Sequence, residues 1–281
     1  MPGVRVVTDS ACDLLDETLT ELNIRLVPLR IRFGDEELVD REELSTKEFW
    51  ARCASSPVLP ATAAPSPGQF QAAFEAAAAD GADAVVCVNL SSKMSATIES
   101  ARQAARALEG RLPVRVVDSR SVTLGLGLVV TEAARAAAGG ADLETVTAAA
   151  EQVVGRMKLY GAIDTLENLK KGGRIGGARA LLGSMLSIKP VIEVRDGVVE
   201  EESKQRTRSR SLRYLADKAK AAGPVSRLAV FSADAPDLDQ FLALLEGVAP
   251  TEGATLFGDV GPVIGSHAGR GAIGVAWIPA L

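Results

Sequence analysis

Four stretches of the sequence gather hydroxyls, glycines and isolated charges where apolar runs end. They are Thr8, Asp9 and Ser10; Ala61 to Gly68, with Thr62 and Ser66; Ser91 to Thr97, with Ser92 and Ser95; and Gly265 to Ala272, around His267, the single histidine of the chain. Hydroxyl donors beside the free N–H groups of a helix start suit a carboxylate or a phosphate. A serine, His267 and an acid such as Asp9 also satisfy the residue types of a serine hydrolase. No G-x-S-x-G elbow and no G-x-x-x-x-G-K-[ST] loop occurs, however. Gly125-Leu126-Gly127 opens like a dinucleotide fingerprint, but Val130 stands where its third glycine belongs. Cys12, Cys53 and Cys87 are scattered and there is no histidine pair, so no metal-ligand set is visible. Three readings stay open: a carrier holding an anion-headed lipid, a binder of a small phosphorylated ligand, and a hydrolase acting on a lipid ester.

Each of these residues also has a plainer explanation. Ser66 with Gln69, and Ser45 with Glu48, fit the capping box, and Ser92 would serve as a helix cap in the same way. A lone histidine is commonly structural, although His267 lies between glycines in what reads as a loop. Arg174, among glycines, would cap the carbonyls of a preceding helix. The basic run from Lys204 to Arg213 reads as a solvated helix face.

The elements that must position these groups are legible in outline. Val4 to Val7, Ala84 to Val88 and Val114 to Val117 are continuous apolar runs, each ending in small polar residues ahead of a helix. That alternation predicts a parallel sheet covered on both faces. Pro67 at a first helical position opens an alanine-rich helix to Ala79, closed at Asp80 and Gly81. Further on, Pro190 to Val194, a turn at Asp196-Gly197 and Val198 to Glu201 predict an antiparallel hairpin, followed by a helix over Ser209 to Ala222. Strands are expected at Leu228 to Phe231, Ala254 to Phe257 and Ala272 to Ile278, with a helix over Pro236 to Val248. The expected fold class is α/β in two domains. Residues 1–155 form a three-layer domain with a parallel sheet, and 156–281 a two-layer domain with a mixed sheet.

Composition narrows the function classes. With 281 residues, 47% hydrophobic and 24% charged, the chain can bury a sizeable core and is not of the disordered class. A net charge of -5 with a pI near 5.2 argues against a nucleic-acid surface. MPGVRVVTDS opens as a strand and not as a leader, and no stretch of about 18 uncharged apolar residues appears. The expectation is a cytoplasmic protein without stable membrane insertion, its cysteines reduced.

Thr8-Asp9-Ser10, Pro65-Ser66-Pro67-Gly68, Ser91-Ser92-x-x-Ser95-x-Thr97, Val117-Asp118-Ser119, Leu169-Lys170-Lys171-Gly172-Gly173-Arg174-Ile175 and His267-x-Gly269-x-Gly271 follow one another along the chain. In this order they resemble the DegV family over essentially the whole sequence. The resemblance implies a non-enzymatic carrier that binds one long-chain fatty acid in a buried apolar tunnel between the domains. In bacteria with a fatty acid kinase, such a carrier presents the carboxylate for phosphorylation to an acyl phosphate. Carried over by position, Thr62, Ser92, Ser95 and His267 are expected to hold the carboxylate. Arg174 is expected at the mouth and Arg206 at the kinase contact. The fatty acid is the ligand, and neither cofactor nor metal is implied. Lys93, Ala96 and Arg270 depart from the family pattern, which has glycine at the first two positions and proline at the third. Leu181, Leu182, Met185 and Ile188 are expected in the apolar wall.

Overall fold

The computed structural model of the chain describes residues 3–56, 58–180 and 188–280. A four-stranded, wholly parallel sheet occupies the first half, in the order Arg25–Val27, Gly3–Asp9, Ala82–Asn89, Val114–Asp118. Its strands read as unbroken apolar runs because both faces are covered. Val7, Val85 and Cys87 point to the helices Pro67–Ala79 and Thr97–Ala107, where Phe70, Phe74 and Ala101 meet them. Val6, Val86 and Val88 point the other way, toward Leu126, Val130 and Val146 of the helices Thr123–Ala138 and Leu143–Arg156. Alternate residues of one strand thus feed two layers of core.

The second half is built on a six-stranded mixed sheet, in the order Val198–Gln205, Lys189–Arg195, Lys158–Ala162, Ile273–Pro279, Val225–Ser232, Leu256–Asp259. All neighbours are antiparallel except the last two strands, which pair in parallel. Asp196 and Gly197 turn the expected hairpin, both at positive φ (50° and 82°), as a two-residue turn matched to strand twist requires. One face of this sheet carries Arg208–Ala221 and Leu238–Leu244, with Leu212, Leu215 and Phe241 against Tyr160 and Trp277. The other face, with Leu159, Ile192, Val194 and Phe231, joins the core of the first half. The α/β class, with a three-layer parallel part and a mixed-sheet part, is as the sequence predicts.

Three features differ from expectation. A small antiparallel sheet, Glu36–Val39, Arg30–Phe33, Ala61–Ala63, has no counterpart in the sequence reading. The predicted Pro236 to Val248 helix contracts to Leu238–Leu244, and the Ala254 strand starts only at Leu256. Gly261 opens a helix, Pro262–Ala268, that runs into the expected Gly265 to Ala272 loop, so His267 stands on its last turn. Among the described residues, no helix is long and apolar enough to cross a membrane.

Candidate functional site

Between the two large sheets lies a cavity of about 200 Å³. Leu29, Leu90 and Val122 line it from the first half, and Leu159, Ile192 and Phe231 from the second. Its polar lining is Thr62, Ser95, Thr123, Arg174 and His267, and three of these mark one end. There Thr62, Arg174 and His267 belong both to the cavity and to an outer, more open mouth of about 520 Å³ that also carries Asn168 and Lys171.

Thr62 sits on the edge strand Ala61–Ala63, opposite Ile31, and not in a loop. Its Oγ1 lies 3.1 Å from His267 Nε2. Burial, and secondarily the Arg174 charge, push His267 down to about 4, so the imidazole is neutral at pH 7 and keeps one N–H donor. Its Nδ1 is buried with no partner among the described residues. The ring fits because residue 172 is glycine, where a Cβ would come within 2.3 Å of Nδ1. A carboxylate arriving here would favour the imidazolium and add a charge-assisted hydrogen bond.

The serine loop divides its hydroxyls by its geometry. Met94 N and Ser95 N both donate to Ser91 O, forming a turn. Ser91 is consequently buried, donating from Oγ to Gly197 O at 2.7 Å and accepting from Lys93 N at 3.2 Å. Ser92 points outward: it is exposed, its backbone N–H donates to Asp118 Oδ1, and it is absent from the described cavity wall. Ser95, one turn on, lines the cavity and bonds Thr97 Oγ1 at 2.9 Å. The helix that follows begins at Thr97 with Ala96 at its cap, so Ser92 has no capping role either. Ser66, by contrast, makes a complete capping box with Gln69 and does not line the cavity.

Arg174 ties this end together. Its Nε donates to Met94 O at 3.0 Å and its Nη1 to Gly172 O at 2.6 Å, capping the short helix Glu167–Lys171 while facing the cavity. Arg206 is exposed between Val198–Gln205 and Arg208–Ala221, away from the cavity wall. Its neighbour Arg208 is structural, gripping Asp237 through two nitrogens and donating to Gly271 O. Of the departures from the family pattern, Ala96 lines the cavity, Lys93 is exposed and Arg270 pairs with Asp234. Ile188 packs against the core. Leu181, Leu182 and Met185 lie outside the described residues.

Asp9 supports the site from below. Fully buried, it accepts hydrogen bonds from Ala11 N (3.1 Å), Asn89 Nδ2 (3.0 Å) and Leu90 N (2.9 Å), and so fixes the start of the serine loop. Burial lifts its carboxyl to about 6 against those three bonds. Committed in this way, Asp9 is not the orienting acid of a Ser-His-Asp triad, and the partner of His267 is a threonine. No hydrolytic constellation forms among the described residues. No group of three or more acid, histidine or cysteine side chains is arranged to hold a metal among them either. Sequence reasoning missed the Met94 carbonyl and Asn168, and named Lys171 only as part of the Leu169 to Ile175 motif. The first is a main-chain group, and Asn168 carries no local signal.

A family model described as an uncharacterised protein of the DegV family matches residues 3–280. A DegV domain-containing protein of Streptomyces coelicolor is 35% identical over 275 residues, 97% of each chain. Among solved structures, a DegV family protein of Thermus thermophilus described as fatty acid binding superposes with a TM-score of 0.90 at 31% identity, covering 99% of this chain and 100% of that one. DegV of Bacillus subtilis, described as a fatty acid binding protein, gives 0.84 at 28% identity over the whole of both chains.

Proposed function

The chain belongs to the DegV family, and from that premise we propose that it is a cytoplasmic carrier that binds one long-chain fatty acid and presents its carboxylate to a separate kinase. The observation that carries this reading is an apolar cavity whose wall includes Ser95 and whose mouth gathers Thr62, His267 and Arg174. The acyl tail supplies the affinity. About 15 methylenes at about 0.8 kcal/mol each give on the order of 12 kcal/mol, against an association cost of comparable size, so the head group must also be well paired. A buried carboxylate without donors would cost several kcal/mol; two hydroxyls and a histidine meet that need. The domain division near residue 155 that the sequence suggests would place this ligand between the two halves.

Presentation needs groups that the tail does not. Arg174 stands at the mouth, where a guanidinium can stabilise charge developing on a transferring phosphoryl group, and exposed Arg206 is available to a partner. Arg174→Ala and Arg206→Ala are expected to bind fatty acid within about threefold of wild type. Each should lose at least about tenfold in kinase-dependent acyl phosphate formation, the second in a salt-sensitive way. Lipid binding and ATP turnover measured on the same preparations with a cognate kinase test this; wild-type turnover by both variants would remove the presenting role.

A further inference from the structure

The cavity approaches the surface at two places. One is the polar mouth at Thr62, Arg174 and His267. The other is Phe231, the only residue that lines both the cavity and a second outer groove, of about 210 Å³, among the described residues. That groove holds Leu15, Leu238 and Phe257. Leu15 and Phe257 are 46% and 51% exposed, two of the few large apolar side chains left in solvent, whereas Phe231 is 7% exposed. Phe231 therefore borders both a buried apolar space and an exposed apolar one.

The ring is held by packing alone. It lies across Gly274, its antiparallel partner on the neighbouring strand, where a Cβ would come within 2.0 Å of the ring edge. Its swing breaks no hydrogen bond, because the side chain carries no polar atom. On the far side the groove walls already face water, so a methylene placed there is favoured by the apolar area it covers.

We infer that Phe231 is a door at the end of the cavity remote from the carboxylate site, and that the Leu15–Phe257 groove receives the methyl end of acyl chains too long for the closed cavity. The inference rests on the fatty-acid reading and adds to it a substrate range: chains longer than the cavity holds bind by opening this door. The groove adjoins the cavity at Phe231, which lines both, and this is the reason for assigning it to the ligand's own tail and not to a second copy of the chain pairing along the edge strand Leu256–Asp259.

The test is a chain-length series of saturated acids, palmitate, stearate, behenate and lignocerate, titrated into the delipidated full chain. Phe231→Ala is expected to raise lignocerate affinity relative to palmitate by about tenfold or more, with Phe231→Leu giving a smaller shift in the same direction and guarding against misfolding of the first. Phe257→Asp is expected to leave palmitate unchanged and to weaken lignocerate by about tenfold. Intact palmitate binding with an unmoved lignocerate-to-palmitate ratio in both Phe231 variants overturns the inference alone. A change in oligomeric state on Phe257→Asp without any change in lignocerate binding assigns the groove to a second copy and also overturns it. Failure of the wild-type chain to bind any of the acids overturns the fatty-acid reading as well.

Discussion

Asp9→Ala is expected to lose about 3–9 kcal/mol of folding stability, because it strands three buried donors at about 1–3 kcal/mol each. Against a total of about 5–15 kcal/mol for an ordinary domain, that brings the first half close to unfolding. The effect also has a definite pH dependence. The folded carboxyl is raised from 3.8 to about 6, so its contribution is full below about 4 and declines as pH rises through 6. The gap between wild type and variant should accordingly be wider at pH 5 than at pH 8. Urea unfolding at the two pH values measures both quantities. A variant within about 1 kcal/mol of wild type at pH 5 would show that Asp9 does not anchor the Leu90–Ser95 segment.

The second expectation concerns the head group. Replacing Thr62 by Val, Ser95 by Ala or His267 by Ala should each weaken fatty acid binding by about 1–3 kcal/mol, roughly fivefold to 150-fold, since each leaves a buried carboxylate short of a donor. Ser92→Ala should change little, because Ser92 lies on the outer side of its turn. The control is a fatty acid methyl ester, whose tail is the same and whose head carries no charge. Its affinity should be nearly insensitive to all four changes. Equal losses for acid and ester would point to a disturbed cavity wall and not to a lost head-group bond.

How far the sequence discloses this arrangement depends on how local the cause is. The strands Gly3–Asp9, Ala82–Asn89 and Val114–Asp118 are legible because burial on both faces demands unbroken apolar runs. The Pro67–Ala79 helix is legible to the residue, since its capping box and its closing glycine at φ 91° are written in adjacent positions. The sheet formed by Glu36–Val39, Arg30–Phe33 and Ala61–Ala63 is not: Arg30–Phe33 alternates charged and apolar residues over only four positions, and Glu36–Val39 and Ala61–Ala63 show no such alternation of large apolar residues. Yet that sheet carries Thr62 to His267.

The helix bearing His267 was hidden for a related reason. Seven residues are too few to be helical alone, and Gly265 lowers the propensity further. It forms because tertiary contacts hold it. A Cβ at Gly265 would come within 2.8 Å of Phe49 and 2.9 Å of Trp50, and Asp13 Oδ1 accepts from Gly261 N at its start. Pro262 at the first helical position was the one local signal, and it went unused. Of the two serines expected as donors, only Ser95 lies on the cavity wall, for the same kind of reason: residue types announce a donor loop, whereas only the turn closed on Ser91 O decides which hydroxyls face inward.

The measurement that bears most directly on the carrier reading is native mass spectrometry of the purified chain, followed by organic extraction and identification of what is released. The account predicts one long-chain fatty acid per protein molecule, lost on delipidation and regained on addition of palmitate or oleate. A chain that carries no lipid as purified and takes up neither acid in solution would contradict it.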